Sequence, residues 1–167
     1  MPDSVIPIEV RAVVPTSGGT ALFLGNPEKV FLVYVDNAVG AAIAMVLGKV
    51  PRPRPQTHDL MASVLTALGA KVERVVINEF KQDTFFARLI VSVENEVQER
   101  KIVELDARPS DCLALALRAE APVYASRKVW DGVDDMSDLL RRMEQQGQSG
   151  AGADPDAPDP DSPDPDA

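Results

Sequence analysis

The side chains best suited to chemistry lie in two short segments. The first is Thr57-His58-Asp59, and the second runs from Asp106 to Asp111. Histidine occurs once, as His58, so mechanisms that need two histidines within one chain are excluded. Hydrolysis would then rely on carboxylates that hold one or two divalent ions, generate a hydroxide and stabilise charge on a phosphodiester.

The second segment places Asp106 and Asp111 on either side of Arg108. The planar guanidinium of an arginine suits phosphate oxygens. Both segments are predicted to lie where a helix begins, and free backbone N–H groups with the positive end of the dipole favour an anion there. The combination predicts recognition of a phosphate ester.

A purely structural interpretation of the same residues is equally open. In it Thr57 caps one helix, Ser110 or Asp111 caps another, Asp106 ties down a turn and Arg108 pairs with a carboxylate. His58 would then have a structural role beside a helix N-terminus. The residues alone do not choose between capping and a binding site.

Several short apolar segments predict strands. Val5–Val14 alternates apolar and polar residues, which indicates a half-buried strand, and Ala21–Leu24 is its expected partner. Val30–Val35 is continuously apolar and predicts a central strand covered on both faces. An antiparallel meander is expected further along, from Val72–Phe80, Thr84–Val93 and Val97–Leu105.

Apolar residues at helical spacing predict the helices. Ala38–Leu47 has no polar face, so it should be buried by the sheet or by a second subunit, which predicts a homo-oligomer. Thr57–Gly69 is amphipathic and should pack its apolar face on the core. Ser110–Ala119 should be a buried helix and Met136–Met143 a surface helix.

Composition sets the limits of the domain and its surroundings. We predict one domain over residues 1–146 and a disordered Asp/Pro-rich tail over 147–167, which has nothing to bury. Without the tail the net charge is only about −3, so nucleic acid would be bound weakly or transiently. The single Cys112, the short apolar runs and the acidic start predict a cytoplasmic protein that does not cross a membrane.

Three segments, in this order and spacing, resemble the successive motifs of the bifunctional nuclease (BFN) domain. They are Pro51–Leu60, Val75–Asn78 with Thr84–Ala87, and Asp106–Ala116. The similarity extends over approximately Val5 to Trp130. It implies an α+β, roll-like domain with a mixed, mainly antiparallel sheet, packed with two to three apolar helices, that associates with itself.

The resemblance also implies nuclease activity on RNA and DNA. The motif positions carried over by residue are the catalytic candidates His58, Asp59, Asp106 and Asp111 and the phosphate-binding candidates Thr57, Arg108 and Ser110. Asp106 and Asp111 would hold a divalent metal, Mg or Mn, with Asp59 as a further ligand, and no organic cofactor is expected. The family's acid near the start of the first helix is replaced by Val39-Gly40, so Asp36 would have to substitute for it.

Two functions follow from these residues. One is a nuclease that hydrolyses phosphodiester bonds in RNA, DNA or both, with a divalent metal. The other is a non-catalytic oligomeric binding or regulatory module, whose motif residues are helix caps and turn ties.

Overall fold

The computed structural model describes residues 4–150 and divides them into two compact units at Ser137/Asp138. The strands are β1 Val5–Thr16, β2 Gly19–Gly25, β3 Val30–Val35, β4 Ala70–Lys81, β5 Thr84–Glu94, β6 Arg100–Ala107 and β7 Val123–Ser126. The helices are α1 Asn37–Leu47, α2 Thr57–Ala67, α3 Pro109–Ala119, α4 Arg127–Gly132 and α5 Ser137–Gly150. The short helix α4 had no counterpart among the sequence predictions.

One seven-stranded sheet organises the first unit, in the order β3-β2-β1-β7-β4-β5-β6. All neighbouring strands are antiparallel except β4 and β7, which run parallel. β1 pairs with β7 over Val5–Ile8 and, from Glu9 onward, with β2. The predicted α+β fold with a mixed, mainly antiparallel sheet is confirmed, as is the meander of β4, β5 and β6.

Strand β3 was predicted to be a central strand, and this prediction is wrong. It lies at an edge of the sheet, where β2 is its one neighbour among the described strands. Phe31 and Val33 are buried, whereas the Tyr34 side chain is 69% exposed. The apolar run arises because Phe31 packs against the rings of Phe85 and Trp130. A run of apolar residues indicates that the side chains are buried, but it does not indicate how many strands pair with the segment.

Helices α1 and α3 pack together on one face of the sheet. The middle of α3 is fully buried from Cys112 to Ala116, as predicted. α1 buries Val39, Gly40, Ala42 and Ile43 but leaves Leu47 43% exposed, so one chain does not cover it on all sides. A side chain at position 40 would lie within 2.5 Å of the Thr20 side chain, which explains why glycine stands there.

Helix α2 reverses the prediction made from its periodicity. The face expected in the core is exposed except at Leu65, whereas the first turn is buried at His58 and Asp59. Only Ala62 and Leu65 of this helix pack against the core cluster. The exposed apolar side chains, called here the α2 apolar face, are Leu60, Met61, Val64 and Leu68, with exposed fractions of 59, 44, 47 and 71%.

The second compact unit begins at Asp138 and, within the described part of the chain, consists of α5. Arg141 Nη1 donates to Asp138 Oδ1 at 2.8 Å inside it. The predicted surface helix is therefore present, but it continues to Gly150, beyond the predicted domain boundary at residue 146. The tail predicted for residues 147–167 lies outside the described residues from position 151 onward. No helix within residues 4–150 combines the length and apolarity needed to cross a bilayer.

Candidate functional site

The start of α3 carries the arginine and one of the acids predicted to act together. Arg108 is the N-cap residue in extended geometry, and Pro109 occupies the first helical position, where its missing N–H costs nothing. Arg108 Nε donates to Asp111 Oδ2 at 2.8 Å, and Nη2 donates to Oδ1 at 3.2 Å. Neither Ser110 nor Asp111 caps the helix, so that part of the structural interpretation is wrong: Asp111 lies inside the first turn and contacts Arg108 instead.

The start of α2 brings the only histidine to the same carboxylate. His58 Nε2 lies 3.0 Å from Asp111 Oδ1, although the two residues are 53 positions apart. Because an ionised carboxylate only accepts hydrogen bonds, the neutral imidazole carries its proton on Nε2 and keeps a lone pair on Nδ1. His58 and Asp111 therefore form an oriented imidazole–carboxylate pair.

Asp36 joins this pair through the arginine. Arg108 Nη1 donates to Asp36 Oδ2 at 3.3 Å, and Asp36 Oδ1 accepts from the Val39 backbone N–H at 2.9 Å, which caps α1. Three helix starts thus meet in one continuous line of contacts. We call the four residues Asp36, Arg108, Asp111 and His58 the His58 cluster.

The contacts in the His58 cluster fix its charges. Desolvation raises the pKa of Asp111, but hydrogen bonds from Arg108 and His58 outweigh it and hold that pKa below its ordinary value. The hydrogen bond to Asp111 raises the pKa of Arg108, and the charge of Asp36 adds to this shift. The carboxylate of Asp111 and the guanidinium of Arg108 therefore stabilise each other's charged form.

Asp59 lies beside His58 but is fully occupied by structural partners. Its two oxygens accept from Arg52 Nη1 at 2.9 Å, Arg118 Nε contacts Oδ1 at 2.9 Å, and the Gln56 backbone N–H donates to Oδ2 at 2.9 Å. The Gln56 hydrogen bond is the main reason that the pKa of Asp59 is lowered. Gln56, and not Thr57 as predicted, is the N-cap residue. Asp59 thereby joins the proline-rich connector, α2 and α3.

Asp106 is not brought into the His58 cluster. Its side chain is 66% exposed and its Oδ1 lies 3.7 Å from Arg88 Nη1. Arg88 alternates along β5 with Ala87 and Leu89, which face α3 in the core, so Asp106 contacts a side chain on the opposite face of the sheet. The structure therefore places Asp106 and Asp111 with different partners.

Two open grooves meet at Arg108. The larger has a volume of about 980 Å³, and its lining includes Thr57, His58, Asp106, Arg108 and Asp111, so Asp106 borders the same groove although its side chain pairs with Arg88. The second, of about 670 Å³, is lined by Asp36, Arg108 and Ser110 together with aromatic side chains. A ligand in either groove would contact the exposed guanidinium of Arg108, whose side chain is 63% exposed.

The residues predicted to hold a metal do not form a shared ligand set in this arrangement. Within residues 4–150, no three His, Cys, Asp or Glu side chains are grouped so that they could hold one ion. Asp106 faces Arg88, and both oxygens of Asp111 already accept hydrogen bonds.

Comparison with known proteins assigns most of the chain to one family. Residues 22–136 match the family described as the bifunctional nuclease domain, which covers more than half of the chain and includes every member of the His58 cluster. The chain belongs to the bifunctional nuclease domain family.

The relatives of this chain fall into two groups. A Mycobacterium tuberculosis protein, named only as uncharacterized and found in two strains, is 34% identical over 104 residues, which are 62% of this chain and 58% of that protein. A rice protein (Oryza sativa) named bifunctional nuclease 1 is 28% identical over 78 residues, 46% of this chain and 23% of its own length. The matched region thus spans little more than half of the bacterial relative and a quarter of the plant one.

Proposed function

We propose that this protein is a nuclease that hydrolyses phosphodiester bonds in RNA, DNA or both, and that the His58 cluster is its active site. The observation that carries the proposal is the line of contacts from Asp36 through Arg108 and Asp111 to His58, beside a groove at the starts of two helices. The family assignment and the name of the rice relative support the same reaction class.

Each member of the cluster has a distinct role in this proposal. His58 acts as the general base, because Nδ1 is left with a lone pair that can take a proton from water or from a ribose hydroxyl. Asp111 positions His58 through Nε2. Arg108 binds the non-bridging phosphate oxygens and neutralises the charge that develops on them, while Asp36 holds the guanidinium in place.

Thr57 and Ser110 contribute through the helix starts on which they lie. The first turns of α2 and α3 carry backbone N–H groups that lack an intrahelical partner, and their dipoles favour an anion. Because Thr57 lines the larger groove and Ser110 the smaller one, a phosphate near Arg108 would be reached by both turns. Without residues 147–167 the net charge is only about −3, which predicts that nucleic acid is bound weakly or transiently.

A requirement for Mg or Mn is a separable part of the proposal. Asp106 and Asp111 remain the candidate ligands, and Asp106 would have to leave Arg88 to share an ion with Asp111. The exposed, 3.7 Å contact between Asp106 and Arg88 is weak enough to be exchanged. A chelator followed by a titration of each ion would show whether activity depends on either metal.

The test of the nuclease proposal compares variants that keep the fold. His58→Asn should abolish cleavage of fluorescent RNA and DNA substrates and Asp111→Asn should lower it by about a hundredfold or more, with melting temperatures close to that of the unmodified protein. Glu96→Gln changes an exposed acid in the β5–β6 loop and is the matched control. Full activity in either site variant would disprove the assigned roles.

The second candidate function is the non-catalytic oligomeric module. The observation that favours it is the α2 apolar face, which exposes four large apolar side chains of one helix. A homo-oligomer that covers this face is compatible with both candidates, so only activity separates them. A protein that lacks cleavage under every metal condition but assembles into oligomers would be the module.

We also propose that the protein functions in the cytoplasm. Cys112 is buried and unpaired, and burial raises the pKa of its thiol to about 12, so it is an inert core residue. A chain without a disulfide suits a reducing compartment. Cell fractionation with an antibody against the protein would test the location.

A further inference from the structure

A third concave surface lies on the sheet face that the helices of the core do not cover. It has a volume of about 360 Å³ and lies over β4, β5 and β6, with Ser126 and the first residues of α4 at its edge. On β5, Arg88 and Ile90 face it, whereas the alternate residues Ala87 and Leu89 belong to the core cluster with α3. This surface is therefore separated from the His58 cluster by the sheet.

Its lining is rich in positive charge. Arg74, Arg88, Arg127 and Lys128 line it, and Glu104 is the single acid among the lining residues. The ion pairs made by these cations are long and exposed: 3.7 Å from Arg88 to Asp106 and 3.9 Å from Lys128 to Glu79. Such pairs are weak and can be exchanged for a ligand.

Two of the cations are especially available. Arg74 has neither an ion pair nor a side-chain hydrogen bond among residues 4–150, and the side chain of Arg127 makes one hydrogen bond there, from Nε to Ser4 Oγ at 3.3 Å. Guanidinium groups provide several donors in a fixed plane that matches phosphate oxygens. The surface is thus suited to a phosphate group.

A second, independent observation lies in the same cavity. Asn78 Oδ1 is completely buried and has no hydrogen-bond donor, and within the described residues it is the one such side-chain atom. Asn78 lies at the register shift of β4 between Ile77 and Glu79, and its backbone carbonyl accepts from Ser126 Oγ at 3.1 Å. Buried acceptors are nearly always satisfied, so a ligand that donates a hydrogen bond would complete this site.

We propose that this cavity binds a nucleoside phosphate, either as a free nucleotide or as one residue of an RNA or DNA strand. The phosphate binds to the four cations, and Arg74 is its principal contact. A donor group of the base or sugar binds to the side-chain amide of Asn78, which rotates so that Oδ1 faces the cavity, and Ile90 with Val76 forms the apolar floor on which the base rests. Binding here does not require hydrolysis at the His58 cluster.

The experiment compares ligands that carry one or both recognised groups. Adenosine 5′-monophosphate and inorganic phosphate are titrated into the full chain by calorimetry. Arg74→Gln should weaken both ligands by about tenfold, as expected for the loss of a charge-assisted hydrogen bond. Asn78→Ala should weaken the nucleotide and leave inorganic phosphate unchanged. Arg11→Gln, on β1, is the control and should change neither affinity.

Two further measurements separate this site from the proposed active site and identify its ligand. His58→Asn should bind the nucleotide as the unmodified protein does, so absence of nuclease activity would not count against the cavity. A short single-stranded oligonucleotide that binds to the cavity more tightly than adenosine 5′-monophosphate would identify a nucleic-acid strand as the ligand. Weaker binding of the oligonucleotide would identify the free nucleotide. Undetectable nucleotide binding, or equal losses in Asn78→Ala for both ligands, would overturn the proposal; melting curves verify that each variant is folded.

Discussion

The starts of α2 and α3 carry an aspartate at the same helical position but use it differently. Asp59 and Asp111 are each the third residue of an eleven-residue helix. Asp59 has two arginines and a backbone N–H as partners and is 8% exposed, whereas Asp111 contacts one arginine and one histidine and is 29% exposed. The carboxylate of Asp59 links the proline-rich connector, α2 and α3, whereas that of Asp111 faces a groove beside the imidazole of His58.

The comparison teaches that a motif residue is assigned by its partners, not by its spacing. Both aspartates follow a predicted helix start, and both were candidates for chemistry. Arg52 and Arg118 contact the oxygens of Asp59, and Arg118 lies 59 positions further along the chain. The following predictions test this distinction, beginning with the largest expected effect.

Asp59→Asn should lower the free energy of unfolding by about 3 kcal/mol, because two arginines would lose their buried anion. Urea denaturation followed by circular dichroism measures this change. Asp138→Asn removes a surface aspartate from a single arginine pair and should cost less than about 1 kcal/mol. A loss of similar size in both variants would remove the proposed distinction.

Asp111→Asn should lower the rate of phosphodiester cleavage by about a hundredfold or more, because an amide can donate as well as accept and no longer keeps the proton of His58 on Nε2. The free energy of unfolding should fall by only about 1 kcal/mol, since an amide still accepts one hydrogen bond. Single-turnover cleavage and urea denaturation measured on the same preparation give both numbers. A stability loss as large as that expected for Asp59→Asn would place Asp111 among the structural residues.

The free energy of unfolding at acidic pH should depend on the carboxylates of Asp59 and Asp111. The pKa of each is below its ordinary value of 3.8 in the folded protein, so the unfolded chain binds more protons as the pH falls. Their contribution is fully present above the unfolded pKa and is lost as the pH falls through the lower, folded pKa. Unfolding measured from neutral pH to below pH 3.8 should show a shallower acid limb in both Asp→Asn variants. An unchanged acid limb in both would contradict the lowered pKa values.

Val64→Lys on the α2 apolar face should change the free energy of unfolding of one chain by less than about 0.5 kcal/mol, since the side chain is 47% exposed. If a second copy covers this face, the same change should convert an oligomer into a monomer. Light scattering after size-exclusion chromatography measures the mass, with Glu96→Gln as control. An unchanged oligomer would show that assembly uses another surface.

Local sequence patterns predicted most of the elements correctly. The meander, the buried helix α3 and the helix start at Pro109 follow from alternation, apolar spacing and proline geometry, all of which are local properties. The edge position of β3 and the exposure of the α2 apolar face were predicted wrongly. Both depend on which distant element lies beside the segment, and a periodic pattern carries no information about that.

The candidate site was predictable as a set of segments but not as a set of contacts. The sequence singled out the segments that contain His58, Arg108 and Asp111, and it named Asp36 as a substitute acid. The 3.0 Å contact between His58 and Asp111 joins two helices that are far apart in the chain, and only the tertiary fold produces it. Asn78 Oδ1 was missed because an unsatisfied acceptor is visible only when its surroundings are known.

Four residues near the end of the first unit determine when the fold can be completed. β7, Val123–Ser126, lies between β1 and β4 and, among the strands of residues 4–150, is the one that joins the two halves of the sheet. During synthesis, the two halves cannot join into one sheet until this segment has left the ribosome. The long sequence separation between Ile8 and its partner Val123 also predicts slow folding of the isolated chain, with two sheet halves that expose unpaired strand edges in the meantime.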